Sequence, residues 1–302
     1  MFKPSGIIPA LVTPLDKNGN LMENSLKQVI DYTLDGGVHG VFVLGSTGEI
    51  YGLTDAQKRR VMEVTVEHVN GRVPVYAAAS EITTKDAIKT ARMAEEVGGI
   101  SAISVLTPYF ISPSQDELIE HYKSIANSVE TPIILYGCDG RAHNKIMPNT
   151  AYELSKVDNI IGIKDSSGDM ARMADYCRLT KDNENFTVLC GIDTLIYAGL
   201  QYGANGAIAS SANVAPKISV GVYNAFKEGN YELALELQQK LAPLRNAYGL
   251  GTFPGVIKEA LRLVGIDAGV ALKPVGAMSD ENRLKLAEVL KELDVYNINN
   301  YV

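Results

Sequence analysis

The chain has 302 residues, 46% of them hydrophobic and 21% charged, which allows one large domain or two smaller ones and a substantial core either way. A formal net charge of −7 argues against a nucleic-acid partner, since phosphate binding needs concentrated Lys and Arg. No apolar stretch approaches the ~20 residues of a membrane span, and MFKPSGIIPALVTP, broken by Pro9 and Pro14, lacks the apolar region of a signal peptide. Cys138, Cys177 and Cys190 are an odd number without paired spacing, which fits free thiols in a reducing cytoplasm.

In chain order, short β-rich apolar runs fall at 6–14 (GIIPALVTP), 39–46 (HGVFVLGS), 73–80 (VPVYAAAS) and 100–108 (ISAISVLTP). They continue at 131–137 (TPIILYG), 159–166 (NIIGIKDS), 185–193 (NFTVLCGID) and 205–212 (NGAIASSA). Several lack strict alternation, as parallel strands covered on both faces do. The segments between them suit helices. SLKQVIDYTLDGG stops at a glycine pair, TDAQKRRVMEVTVEHVNG has Thr54 as an N-cap and Gly71 as a stop, and SPSQDELIEHYKSIANSV starts in Ser and Pro.

Eight strand–helix units in series predict a TIM (β/α)8 barrel over 1–228, and a doubly wound open sheet lacks its glycine fingerprint here. Beyond residue 228 the strand rhythm ends. NYELALELQQKLAPLRNAYG, FPGVIKEALRLVG and SDENRLKLAEVLKEL read as helices of a C-terminal extension over 229–302.

A TIM barrel builds its site at the C-terminal ends of its strands. There the second run ends in GSTGE (45–49), the fourth in TPYF (107–110), the fifth in Tyr136 and the sixth in Lys164. A strand-end lysine ordinarily snorkels to water, but the apolar IIGI before Lys164 predicts desolvation, which lowers an amine's pKa. A neutral amine attacks a ketone and forms a Schiff base, an electron sink. Strand alternation points Asp165 to the opposite face, away from that lysine. Tyr136 is either a packing residue or a proton shuttle. GSTGE reads as a turn closed by its own hydroxyls, or as a cradle whose backbone N–H groups suit a carboxylate.

Together these features resemble the pyruvate-dependent class I aldolases, the family of dihydrodipicolinate synthase and N-acetylneuraminate lyase, from about Gly6 to Gly269. The resemblance rests on GIIPALVTPLDKNGNLMENSL, GSTGE, PSQDELIEHYKSIA, Tyr136, GIKDSSGD and GANGAIASSANVAPK, with 28 residues from Tyr136 to Lys164. It implies that Lys164 forms the imine with a 2-keto acid and that Tyr136, helped by the Ser46 hydroxyl, relays protons. It also implies that Thr47 holds the pyruvyl carboxylate and that Ile208 contacts the pyruvyl group through its backbone. No metal or organic cofactor is then needed, and His39, His68, His121 and His143 show no ligand spacing. The implied assembly is a homotetramer, a dimer of dimers.

The departures bear on the substrate. Tyr136 is followed by Gly137, Cys138 and Asp139, where the family has Asn-x-Pro. Arg141 falls where the synthases carry a carboxylate-binding Arg-Thr-Gly, but Ala142 and His143 follow it. Phe110 replaces a tyrosine that the synthases contribute across a subunit interface, and Tyr109 is the neighbouring phenol. In GIDT (191–194), Thr194 replaces an acidic residue of the sialic acid lyases, while Asp193 remains as a candidate for binding a substrate hydroxyl. FTVLCGIDTLI and FPGVIKEALRLVGIDAG are most similar to the 2-keto-3-deoxy sugar acid aldolases. The sequence therefore favours retro-aldol cleavage of a 2-keto-3-deoxy sugar acid to pyruvate and an aldehyde. The alternatives are dihydrodipicolinate synthesis from pyruvate and aspartate semialdehyde, N-acetylneuraminate cleavage, and a catalytically silent keto-acid binder.

Overall fold

The computed structural model describes residues 2–296. Met1 and residues 297–302, the end of the predicted extension, lie outside the described residues. Eight parallel strands form one sheet in the order β1-β8-β7-β6-β5-β4-β3-β2. They are β1 (Gly6–Pro9), β2 (Val41–Val43), β3 (Val75–Ala78), β4 (Ile100–Leu106), β5 (Ile133–Gly137), β6 (Ile160–Asp165), β7 (Thr187–Cys190) and β8 (Gly206–Ala209). The seam between β1 and β2 is spanned by one parallel bridge, Ala10 to Phe42, and by backbone bonds from Leu11 N–H to Phe42 and from His39 N–H to Ile7, both 2.8 Å. The predicted TIM barrel is therefore present.

Every strand is shorter than the apolar run that predicts it: β1 and β4 keep the start of their runs, β5 the end, and the others an inner part. All six residues of β6 are buried, with apolar cover on both faces. Gly162 has a packing reason: a Cβ there would sit 2.6 Å from the Thr187 carbonyl oxygen of β7, so no larger residue fits.

Among the described residues nine helices flank the barrel or cap its loops: α1 (Glu23–Asp35), α2 (Asp55–Val69), α3 (Thr84–Val97), α4 (Gln115–Ala126), α5 (Asp139–Ala142), α6 (Pro148–Leu154), α7 (Met170–Thr180), α8 (Ile196–Gln201) and α9 (Pro216–Lys227). Thr54 caps α2 in a reciprocal capping box with Gln57, and Ser114 does the same for α4 with Glu117. The extension supplies α10 (Tyr231–Asn246), α11 (Gly255–Leu263) and α12 (Asp280–Glu292). Among the described residues no helix is long and apolar enough to cross a membrane.

Candidate active site

Tyr136 and Lys164 are direct register partners across β5 and β6. Neighbouring strands lie about 4.8 Å apart, so their side chains leave the sheet side by side. The Lys164 Nζ sits 4.2 Å from the centre of the Tyr136 ring and 5.1 Å from that of Phe42. Both residues are buried. Burial is the main force on the amine and lowers its pKa to about 8, against smaller opposing pulls from Cys138 and Asp193. Asp165 points away, as alternation predicts, and accepts from the Ser167 N–H and hydroxyl at 3.0 Å each. Burial also raises the Tyr136 phenol, with Cys138 adding to the shift and hydrogen bonds to Ser166 and Ser46 opposing it. An amine that is partly neutral near pH 8, beside a protonated phenol, can attack a carbonyl and have a proton delivered to the oxygen it displaces.

These groups open into a cavity of about 610 Å³ at the C-terminal end of the barrel. Ser46, Thr47, Ile208, Arg141 and Asp193 all line it, so seven of the eight sequence candidates converge on one space. Tyr109 is the exception: it lines an adjoining cavity of about 210 Å³ that shares Ser46 and Arg141 with the first. Among the described residues the Ser46 and Thr47 amides have no hydrogen-bond acceptor, which leaves two N–H groups and two hydroxyls at the edge of the cavity. Such a turn suits an anion.

The rest of the lining has a different construction. Arg141 is exposed on the short α5, with its guanidinium 4.5 Å above the Phe253 ring. Asp139, part of the departure after Tyr136, anchors that helix: Arg172 of α7 donates to its two oxygens at 3.0 and 2.7 Å. Asp193 is already engaged. One oxygen accepts from the Ser211 N–H and hydroxyl at 2.8 and 2.6 Å, and the other from Ser210 at 3.0 Å with Arg245 Nε 3.6 Å away.

Sequence reasoning missed Arg245, Tyr248 and Phe253, which the extension brings to the cavity. The one local signal is YGLGTFP (248–254), where glycines and a proline interrupt a helical stretch beside two aromatics. Ser166 and Cys138 were also missed as lining residues. Among the described residues no cluster of three or more His, Cys, Asp or Glu side chains is arranged to hold a metal ion.

Comparison with known proteins agrees with this architecture. The family model described as "Dihydrodipicolinate synthetase family" matches residues 3–293. A 4-hydroxy-tetrahydrodipicolinate synthase of Methanothrix thermoacetophila is 37% identical over 97% of each chain. The crystal structure of YagE, a prophage protein of this family from Escherichia coli K12 in complex with pyruvate, superposes with a TM-score of 0.93 at 30% identity, covering 96% of this chain and 99% of that one. A monomeric dihydrodipicolinate synthase variant superposes with a TM-score of 0.93 at 32% identity, covering 96% and 97%. The chain belongs to the dihydrodipicolinate synthetase family and is a lyase-type class I aldolase that works through a lysine Schiff base.

Proposed function

We propose that Lys164 is the Schiff-base lysine and that the enzyme joins pyruvate to an aldehyde bearing a carboxylate, as in 4-hydroxy-tetrahydrodipicolinate synthesis from aspartate semialdehyde. The neutral Lys164 amine adds to the pyruvate ketone. Tyr136, linked to Ser46 and Ser166, gives a proton to the departing hydroxyl, so that water leaves and the imine forms. The Tyr136 phenolate takes a methyl proton to give an enamine whose carbon attacks the aldehyde, the phenol returns a proton to the new alkoxide, and water then hydrolyses the product imine to free Lys164. Ser46 and Thr47 hold the pyruvyl carboxylate, with Ile208 behind it. The observation that carries the choice of acceptor is Arg141, a guanidinium at the mouth of the cavity that holds Lys164. The name carried by the Methanothrix relative supports the same choice over the sugar-acid cleavage that the sequence favours.

A second reading, cleavage of a 2-keto-3-deoxy sugar acid, is supported by the hydroxyl-rich wall of Ser210, Tyr248 and Ser166, and by Phe110, which brings no phenol to a relay. Asp193 then acts by orienting Ser210 toward a sugar hydroxyl. The two readings separate in one assay: pyruvate consumption with aspartate semialdehyde against pyruvate release from 2-keto-3-deoxygluconate, the latter coupled to lactate dehydrogenase. Faster condensation is expected, and faster cleavage overturns the first reading in favour of the second. Borohydride reduction with pyruvate is expected to leave a mass adduct on Lys164, and its absence removes both. The proposal includes a homotetramer, tested by light scattering on the purified chain.

A further inference from the structure

Two non-glycine residues in the left-handed region bracket the Ser46–Thr47 pair: Leu44 at φ 61° and Glu49 at φ 58°. Such backbone costs about 1–2 kcal/mol at each residue, so the loop keeps this shape only because its surroundings hold it. Thr13 holds one side, its hydroxyl donating to the Gly48 carbonyl at 2.7 Å. The stronger tie comes from behind the cavity. The Glu49 side chain is fully buried, with Oε1 2.6 Å from the buried Lys258 Nζ of α11 and Oε2 accepting from the Leu272 N–H at 2.7 Å. Lys258 also donates to the Val270 carbonyl at 2.7 Å, and the Val270 N–H donates to Leu15 at 2.8 Å. The exit of β1, the GSTGE loop and the extension therefore meet on one buried ion pair whose members are 0% and 2% exposed.

Neither Glu49 nor Lys258 lines the cavity. Desolvation cancels most of the attraction within a buried pair, so well-packed apolar residues would hold the fold about as firmly. The carboxylate is instead tied to two partners, Lys258 by charge and the Leu272 N–H by a hydrogen bond, and both lie on the extension. Lys258 thus contrasts with Lys164, a buried lysine for which no salt bridge is found among the described residues and whose amine faces open space.

We infer that the Glu49–Lys258 pair is a positioning device that sets the Ser46 and Thr47 amides and hydroxyls at the spacing that holds the keto acid's carboxylate. The C-terminal extension is then part of the apparatus for the first half-reaction. The inference rests on the roles proposed above for Lys164 and the Ser46–Thr47 turn.

Borohydride trapping on the full chain tests it, with the Lys164 adduct read by mass and two ketones compared: pyruvate and methyl pyruvate, whose carboxylate is masked. The wild-type chain is expected to reach half-trapping at much lower pyruvate than ester. In Glu49→Gln the pyruvate requirement should rise about tenfold or more, the cost of displacing a positioning group by a fraction of an ångström. The ester requirement and the pH profile of trapping, which belongs to Lys164, should stay where they are. Glu49→Gln/Lys258→Met leaves no lone buried charge and should show the same loss of discrimination, which covers the case where the single variant fails to fold. An unchanged pyruvate-to-ester ratio in a folded variant overturns the inference. Equal losses for both ketones also overturn it, because they assign the pair to stability alone. A wild-type chain that traps neither ketone instead overturns the reading of Lys164, and one that traps both equally overturns that of the turn.

Discussion

The cavity lining has two parts, and they are built by different means. The β5–β6 wall takes Tyr136 and Lys164 from one register pair, buries both and leaves them no freedom apart from the sheet. The second wall takes Arg141 from a four-residue helix, and Arg245, Tyr248 and Phe253 from beyond the barrel. Its cations are more exposed: the Arg245 side chain is 37% accessible against a Lys164 that is 5% exposed as a residue. A register pair cannot be retuned without moving the sheet, whereas loop and extension residues can change one at a time. On the proposed reading, the shared chemistry lies on the first wall and acceptor choice on the second.

The comparison breaks most completely at Lys164. Lys164→Ala is expected to bring turnover to background and abolish the borohydride adduct while the barrel stays folded by circular dichroism. The same lysine carries a pH signature. Trapping by pyruvate should rise with pH through a midpoint near 8, where the amine loses its proton. Stability should move in a related way. Burial lowers this amine from 10.5 to about 8, so the folded state carries the full desolvation cost below about pH 8 and sheds it as pH climbs toward 10.5. Lys164→Met should therefore raise Tm most at neutral pH, with the gain fading above pH 8; a calorimetric pH series checks this.

Tyr136→Phe comes next. It keeps the ring against Lys164 and removes the hydroxyl, so kcat should fall about 10²- to 10⁴-fold, the range for a lost general acid–base group. Single-turnover mixing with pyruvate checks it, and unchanged imine formation removes the phenol from the relay.

The sequence discloses these two walls unequally, for the same reason that they differ in construction. Strand periodicity and caps are local, so all eight runs, the Thr54 cap and the helices of the extension are legible, most within three residues of their observed bounds and β1 five residues too long. GSTGE, Tyr136 and Lys164 become a site once those runs are counted, because strand ends in a closed barrel must converge. Arg245 carries no such signal: it sits in the last turn of a helix, where basic residues are common for dipole reasons alone. The tie between Glu49 and Leu272, 223 residues apart in the chain, is equally silent in a single sequence. Asp193 is a milder case. Its position at the cavity is legible, but the four groups that engage its oxygens come from β8's exit and α10, which only the fold brings together.

Arg141→Ala should act chiefly on the acceptor. A charge-assisted hydrogen bond is worth about 1.5–3 kcal/mol, so KM for a carboxylate-bearing aldehyde should rise roughly tenfold to a hundredfold. Borohydride trapping with pyruvate should be nearly unchanged well above pH 8, where the amine is largely neutral with or without the arginine. Equal loss with a neutral aldehyde would place Arg141 in loop packing, where its stacking on Phe253 already puts part of it.

The smallest effect is expected at Asp193, and it separates bracing from substrate contact. In Asp193→Asn the retained oxygen still accepts from Ser211, while the amide replaces the oxygen that faces Ser210 and Arg245. The Ser210 hydroxyl can reverse and accept, and the half-exposed partner Arg245 loses an interaction worth at most about 1 kcal/mol. Acceptor KM should therefore move only a few-fold if Asp193 is a brace. A carboxylate that binds a sugar hydroxyl directly would cost far more. The amine reports the same change from the other side. The Asp193 charge raises the Lys164 pKa and the Arg141 charge lowers it, so the pH midpoint of trapping should move down in Asp193→Asn and up in Arg141→Ala. Opposite shifts in two variants would place both charges within electrostatic reach of the imine; shifts in the same direction would mean that the second wall acts on Lys164 through structure instead.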